Sequence, residues 1–160
     1  MKVWLSYHIS TIELISPTLR EVLSIIRSTF SSNGITVVDM LEDVQQWDAE
    51  RPLSEETVMK AYEIMPTCDG CISVCTSRTA SEERGWETGF FAGQGKPTTI
   101  AVEMGHSLPF RELLFSLNPA NKHHSWPGVI RFERLEGIAP AFVAGLQKAF
   151  AACIEEARSR

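Results

Sequence analysis

The strongest constraint on the fold lies between Asp69 and Val102, where two apolar runs flank one short helix-compatible segment. Gly70-Cys71-Ile72-Ser73-Val74 and Thr98-Thr99-Ile100-Ala101-Val102 each read as a strand buried on both faces. Between them, Ser77 to Pro97 holds a polar loop and a helix carrying Gly85, Gly89 and Gly93. Buried strands joined through a helix form a βαβ unit, because parallel neighbours need a crossover rather than a tight turn. In open parallel sheets, ligands bind beyond the carboxyl ends of the strands. That rule points to the loop and helix start after Val74, where Glu82, Glu83 and Glu87 crowd together. Gly85 and Gly89 flank Glu87 and remove side-chain bulk beside its carboxylate. Because glycine inside a helix costs about 1 kcal/mol relative to alanine, these positions call for a compensating role.

The rest of the chain repeats the alternation. Val3 to Ser6 reads as a first strand, followed by the polar run Tyr7-His8-Ile9-Ser10-Thr11. Ser16-Pro17 opens a helix, with Ser as cap and Pro at the first helical position. Leu19, Val22, Leu23, Ile26 and Phe30 share one face of it, and Asn33-Gly34 closes it. Ile35 to Val38 is the second strand, and Asp39 to Pro52 a largely polar loop holding Gln45, Gln46, Trp47 and Asp48. Ser54-Glu55-Glu56 caps a helix ending near Met65, its acids suited to the positive end of the helix dipole. A short helix is expected near Pro109 to Ser116, and a fifth strand over Val129 to Phe132. A last helix runs from Pro140 to Arg158, with Phe142, Val143, Leu146, Phe150, Cys153 and Ile154 inward. Five strands alternating with five helices predict a single-domain α/β fold spanning 1–160. Its core would be a doubly wound five-stranded parallel sheet in the flavodoxin-like order.

Composition narrows the function classes. A net charge of −5 counts against a nucleic-acid backbone as partner, since such sites need clustered Lys and Arg. No apolar run approaches the ~20 residues of a membrane span, and the first residues read as a strand rather than a signal peptide. A cytoplasmic location is therefore expected. Cys68 and Cys71 have metal-ligand spacing, but no second pair completes a site, so the thiols read as small apolar groups. His8, His106, His123 and His124 fall in polar loops and are given no role.

The segment from Asp69 to Pro97 resembles the signature of the nucleoside 2-deoxyribosyltransferase family and its nucleotide N-glycosidase relatives. In that family an Asp opens the third strand, and a loop of small residues leads into a helix bearing Gly-x-Glu-x-Gly. Gly-Lys-Pro then precedes the next strand. Here these parts read Asp69, Ser81, Gly85-Trp86-Glu87-Thr88-Gly89 and Gly95-Lys96-Pro97. The resemblance implies that Glu87 is a nucleophile acting at the anomeric carbon of a nucleoside or nucleoside 5′-monophosphate. It implies that Ser81 holds the 5′ end or its phosphate, with Gly85 leaving room beside the carboxylate. Ser6 and Tyr7 would line the site from the first strand, and Tyr7, Trp47 or Trp86 would stack on the base. Leu113 to Asn121, with Ser116 and Asn121, looks like the family's loop into a neighbouring subunit's site, so a homo-oligomer is expected. The partner is thus a small nucleoside or nucleotide, with no nucleic acid and no membrane.

Chemically the assignment is coherent. Breaking an N-glycosidic bond develops positive charge on the sugar, which a carboxylate stabilises as an ion pair or a covalent ester. That chemistry requires no metal or organic cofactor. Three departures from the family pattern keep other readings open. The family's second acid, eight residues before the strand-opening Asp, falls here on Ala61, with Glu63 on another helix face. Position 83, usually small in the family, is Glu83, and the first strand ends in Ser6-Tyr7-His8 rather than a glycine turn. Val3-Trp4-Leu5-Ser6-Tyr7 also resembles the opening strand of TIR domains, in which a helix Glu cleaves NAD. A third reading is a nucleotide-binding or signalling module without turnover.

Overall fold

The computed structural model describes residues 1–7, 17–44, 54–75, 82–103, 129–132 and 140–159. Strands β1 (Lys2–Tyr7), β2 (Thr36–Asp39), β3 (Gly70–Cys75) and β4 (Thr98–Glu103) form a parallel sheet in the order β2-β1-β3-β4. A further strand, β5 (Val129–Phe132), pairs parallel with β4 from Ile100↔Val129 to Glu103↔Phe132. The helices are α1 (Pro17–Ser31), α2 (Glu55–Ile64), α3 (Glu82–Gly93) and α4 (Pro140–Arg158). The short helix expected near Pro109 lies outside the described residues.

Alternation along each strand sends side chains to two faces, and each face is covered by helices. Val3, Leu5 and Tyr7 of β1 join Val22, Leu23, Ile26 and Phe30 of α1 and Val143, Leu146 and Phe150 of α4. Trp4 points the other way, into a cluster with Ala61 of α2, Met65, Cys68, Cys71 and Phe91 of α3. The sheet therefore carries α1 and α4 on one face and α2 and α3 on the other. Phe30 and Phe150 meet edge-on at 6.0 Å where α1 and α4 cross the same face.

Local signals set the element ends. Ser54 caps α2 by accepting from the Thr57 backbone N–H at 3.2 Å. Gly34, at φ 73°, turns the chain out of α1 in the left-handed region. Two expected boundaries shift. β2 extends through Asp39, and Met40–Val44 forms a π-helical turn instead of polar loop. The reason is an ion cluster of Arg27 with Asp39, Glu42 and Asp43.

The amino ends of the strands are closed by short-range ties. The Lys2 backbone N–H donates to Asp69 Oδ2 at 2.8 Å, and the Asp69 N–H returns a bond to the Lys2 carbonyl at 2.7 Å. Gly95 takes φ 68°, and Lys96 Nζ donates to the carbonyls of Cys68 and Pro66 at 2.8 and 3.0 Å. The Pro97 carbonyl accepts from Cys71 N–H at 2.9 Å, and a Cβ on Gly70 would stand 2.6 Å from that same oxygen. Asp69, Gly70 and Gly95-Lys96-Pro97 are thus the joint that docks β3 on β1 and β4.

Candidate functional site

The carboxyl ends of the strands form the opposite edge, and there α3 begins. Its orientation follows from packing. Phe91 shares a cluster with Trp4 and Cys71, which are register partners on β1 and β3. Four residues back along α3 stands Glu87, about 6 Å nearer the helix start. Two residues on along each strand stand Ser6 and Ser73, again register partners, about 6.7 Å nearer the carboxyl ends. Because α3 packs on β1 and β3 and runs against the strands, Glu87 is level with the Ser6–Ser73 pair.

The surroundings are polar but enclosed. Ser6, Ser73 and Thr88 are buried, while Glu87 is half-buried. Ser6 is 2% exposed and its Oγ has no hydrogen-bond partner among the described residues. Trp4 Nε1 is the other such atom among the described residues, but it lies in the apolar cluster that includes Phe91. Among the described residues, methyl groups placed at Gly85 or Gly89 would meet nothing within 4 Å outside the helix's own backbone and the chain neighbours. Tight helix–sheet packing among these residues therefore does not account for the two glycines.

Strand alternation separates Ser6 from Tyr7. Tyr7 is 8% exposed, its ring lies in the core on the α1 face, and its hydroxyl donates to Asp39 Oδ1 at 2.9 Å. The Tyr7 ring, one of the candidates for stacking on the base, thus packs on the opposite face of the sheet from Ser6. Trp86 is half-exposed and turns outward, edge-on to Tyr62 at 4.9 Å and stacked on Phe90 at 5.7 Å. Trp47, Ser81, Ser116 and Asn121, with Gln45 and Gln46, lie outside the described residues.

An ion cluster ends β2 and was not foreseen. Asp39 is fully buried, accepts from Arg27 Nε at 3.0 Å and from the Glu42 N–H at 2.8 Å, and is also bonded by Arg27 Nη2. Arg27 further pairs with Glu42 at 2.9 Å and Asp43 at 2.6 Å, and Asp43 accepts from the Asp39 N–H at 2.8 Å. Burial works against the Arg27 charge, but the bonds and charges of Asp39 and Asp43 outweigh it and raise its pKa. These interactions fold Met40–Val44 back onto the strand end. An acid at the end of an apolar strand is the sequence signal, because a buried carboxylate demands a partner.

Ala61, at the position of the family's second acid, is buried in the apolar cluster, and Glu63 is exposed. Cys68 and Cys71 are buried free thiols in that same cluster. Burial raises the Cys68 pKa, against the pull of Lys2 and Lys96. Among the described residues no group of His, Cys, Asp and Glu could hold a metal ion, and no helix is long and apolar enough to cross a membrane.

Comparison with solved structures identifies the architecture. The CMP N-glycosidase BcmB of Clostridium botulinum superposes with a TM-score of 0.55 at 15% identity, over 92% of this chain and 98% of that one. A 2-deoxyribosyltransferase from Bacillus psychrosaccharolyticus gives a TM-score of 0.54 at 14% identity, over 89% of this chain and 96% of that one. The shared property is the fold. No family model matches the sequence, and no curated protein matches it.

Proposed function

We propose that this chain cleaves or transfers at the N-glycosidic bond of a nucleoside or nucleoside 5′-monophosphate, with Glu87 as the nucleophile. The observation that carries this reading is the half-buried Glu87, level with the carboxyl ends of β1 and β3 on the helix that packs across both strands. The architecture shared with a CMP N-glycosidase and a deoxyribosyltransferase supports it. In this reading Glu87 approaches the anomeric carbon on the face opposite the base, and the carbon–nitrogen bond breaks as an ester forms or an ion pair develops. The base departs with the bonding electron pair and takes up a proton. Water or a second base then takes the sugar and frees the carboxylate.

Ser81 and the amino end of α3 would hold the 5′ end, since exposed helix amino termini bind anions. Gly85 would leave the sugar its space, and Trp47 would stack on the base. Ser116 and Asn121 would reach the site of a neighbouring copy, which makes a homodimer or larger oligomer the working unit of this single deoxyribosyltransferase-like domain.

The test is free-base release, followed by chromatography, from ribo- and deoxynucleosides, their 5′-monophosphates and NAD. Release from a nucleoside or nucleotide that falls at least about a thousandfold in Glu87→Gln, with melting unchanged, is the expected result. Nicotinamide release alone would replace this reading with the TIR-like one. Binding of nucleotides without turnover would replace it with a signalling module, a reading that the apolar setting of Ala61 favours.

A further inference from the structure

The two solved structures named above act, by their names, on a ribonucleotide and on a deoxyribosyl substrate. One residue of this chain bears on that choice. Ser6 is buried at the end of β1, yet its hydroxyl is unpartnered among the described residues. Alternation puts it on the α3 face with Trp4, since Val3, Leu5 and Tyr7 fill the other. Glu87 stands level with it one layer above, on the helix that packs across β1 and β3. A buried hydroxyl without a partner is unfavourable, so such a group in a site is satisfied when a ligand supplies the missing bond.

We infer that Ser6 Oγ recognises the 2′-hydroxyl of the sugar and makes the site selective for ribosyl over 2-deoxyribosyl substrates. The inference rests on the proposed function and follows from stereochemistry. In a β-nucleoside the base stands on one face of the ring, and a nucleophile that displaces it approaches from the other. The 2′-hydroxyl of ribose lies on that second face, on the carbon next to the reacting one. A carboxylate beneath the anomeric carbon therefore has the 2′-hydroxyl as its neighbour. The sheet floor level with Glu87 carries the hydroxyls of Ser6 and Ser73, and of these Ser6 is the one without a partner among the described residues. A hydrogen bond to the 2-hydroxyl strengthens as the oxocarbenium-like transition state forms. A deoxyribosyl substrate would leave Ser6 unsatisfied, and sites built around a substrate hydroxyl reject the analogue that lacks it.

The test compares wild type with Ser6→Ala on matched ribonucleoside and 2′-deoxyribonucleoside 5′-monophosphates. It reads kcat/KM for base release and, separately, affinity by calorimetric titration. The expected result is a wild-type ribosyl preference of at least about tenfold that falls to near unity in the variant. Ser6→Ala should fold and melt no lower than wild type, because it deletes an unpartnered buried polar atom. Ser6→Cys, which keeps the size of the side chain and weakens the donor, should fall between the two. An unchanged ratio in a folded variant, or a wild-type preference for deoxyribosyl substrates, would overturn the inference. Ribosyl-selective binding that is lost in Ser6→Ala, without base release by wild type, would uphold Ser6 and remove the catalytic reading instead. Neither binding nor release of any nucleotide would overturn both.

Discussion

The two edges of the sheet are built on opposite principles. At the amino edge, short polar ties close the structure: Lys2 with Asp69, Lys2 Nζ with Thr67 Oγ1, Lys96 with two carbonyls, and Cys71 with Pro97. Ordinary side chains and backbone groups satisfy one another, and the one space-limited glycine, Gly70, is there because an oxygen crowds it. At the carboxyl edge, two buried polar groups differ in how they are satisfied. Ser6 lacks a partner among the described residues, and Asp39 sits at zero exposure in a cluster of three carboxylates around one guanidinium. Methyl groups at Gly85 and Gly89 of that edge would meet nothing within 4 Å among the described residues, as at Gly95 of the amino edge. Short polar ties close the amino edge, whereas the carboxyl edge is held by one buried ion cluster and leaves the Ser6 hydroxyl without a partner among the described residues.

Removing a partner from the carboxyl edge gives the largest expected effect on stability. Arg27→Met leaves Asp39 buried without its cation and should cost about 3–5 kcal/mol by chemical denaturation. Tyr7→Phe removes one bond to the same carboxylate and should cost about 1.5–3 kcal/mol. If either variant is as stable as wild type, the cluster does not hold the strand end. Next in size, Gly70→Ala at the amino edge meets the Pro97 oxygen at 2.6 Å and should cost about 1–3 kcal/mol, read as a lower denaturation midpoint. Gly85→Ala should do the reverse. It gains up to about 1 kcal/mol of helix propensity, because nothing among the described residues crowds the added methyl. Equal effects of the two glycine substitutions would erase the contrast between the edges.

The smallest effect concerns pH. Burial raises the Cys68 thiol above its ordinary 9.0, so the folded state holds that proton more tightly than the unfolded chain does. Its contribution to stability is fully present below that ordinary value and is lost as pH rises through the folded one. The alkaline fall of the unfolding midpoint should therefore be shallower in Cys68→Ala, and thiol labelling of Cys68 should track unfolding. An identical alkaline slope in the variant would count against the burial argument.

Much of the fold was legible because its signals are local. The apolar runs over 70–74 and 98–102, the Ser54 cap and the inward stripe of Val143, Leu146, Phe150 and Cys153 all sit where periodicity and capping chemistry put them. The motif around Asp69 and Gly95-Lys96-Pro97 was visible too, but as an undivided whole. Only three dimensions separate its structural half at the amino edge from Glu87 at the carboxyl edge. The Arg27–Asp39 pair was missed because its partners are brought together by the α1–β2 turn, and Arg27 flanks the inward stripe next to Ile26. Tyr7 stood among several candidate stacking rings for a related reason. An aromatic at a strand end suggests a stacking surface, but strand parity had already assigned it to the α1 face, leaving Ser6 toward α3.

The most direct measurement sets Glu87→Gln beside Asp69→Asn, one residue from each edge, and reads base release and melting temperature for both. The account predicts that Glu87→Gln loses base release while keeping its melting temperature, and that Asp69→Asn melts lower while its kcat for the folded protein stays near wild type. Base release that survives in Glu87→Gln, or that vanishes in a folded Asp69→Asn, would contradict it.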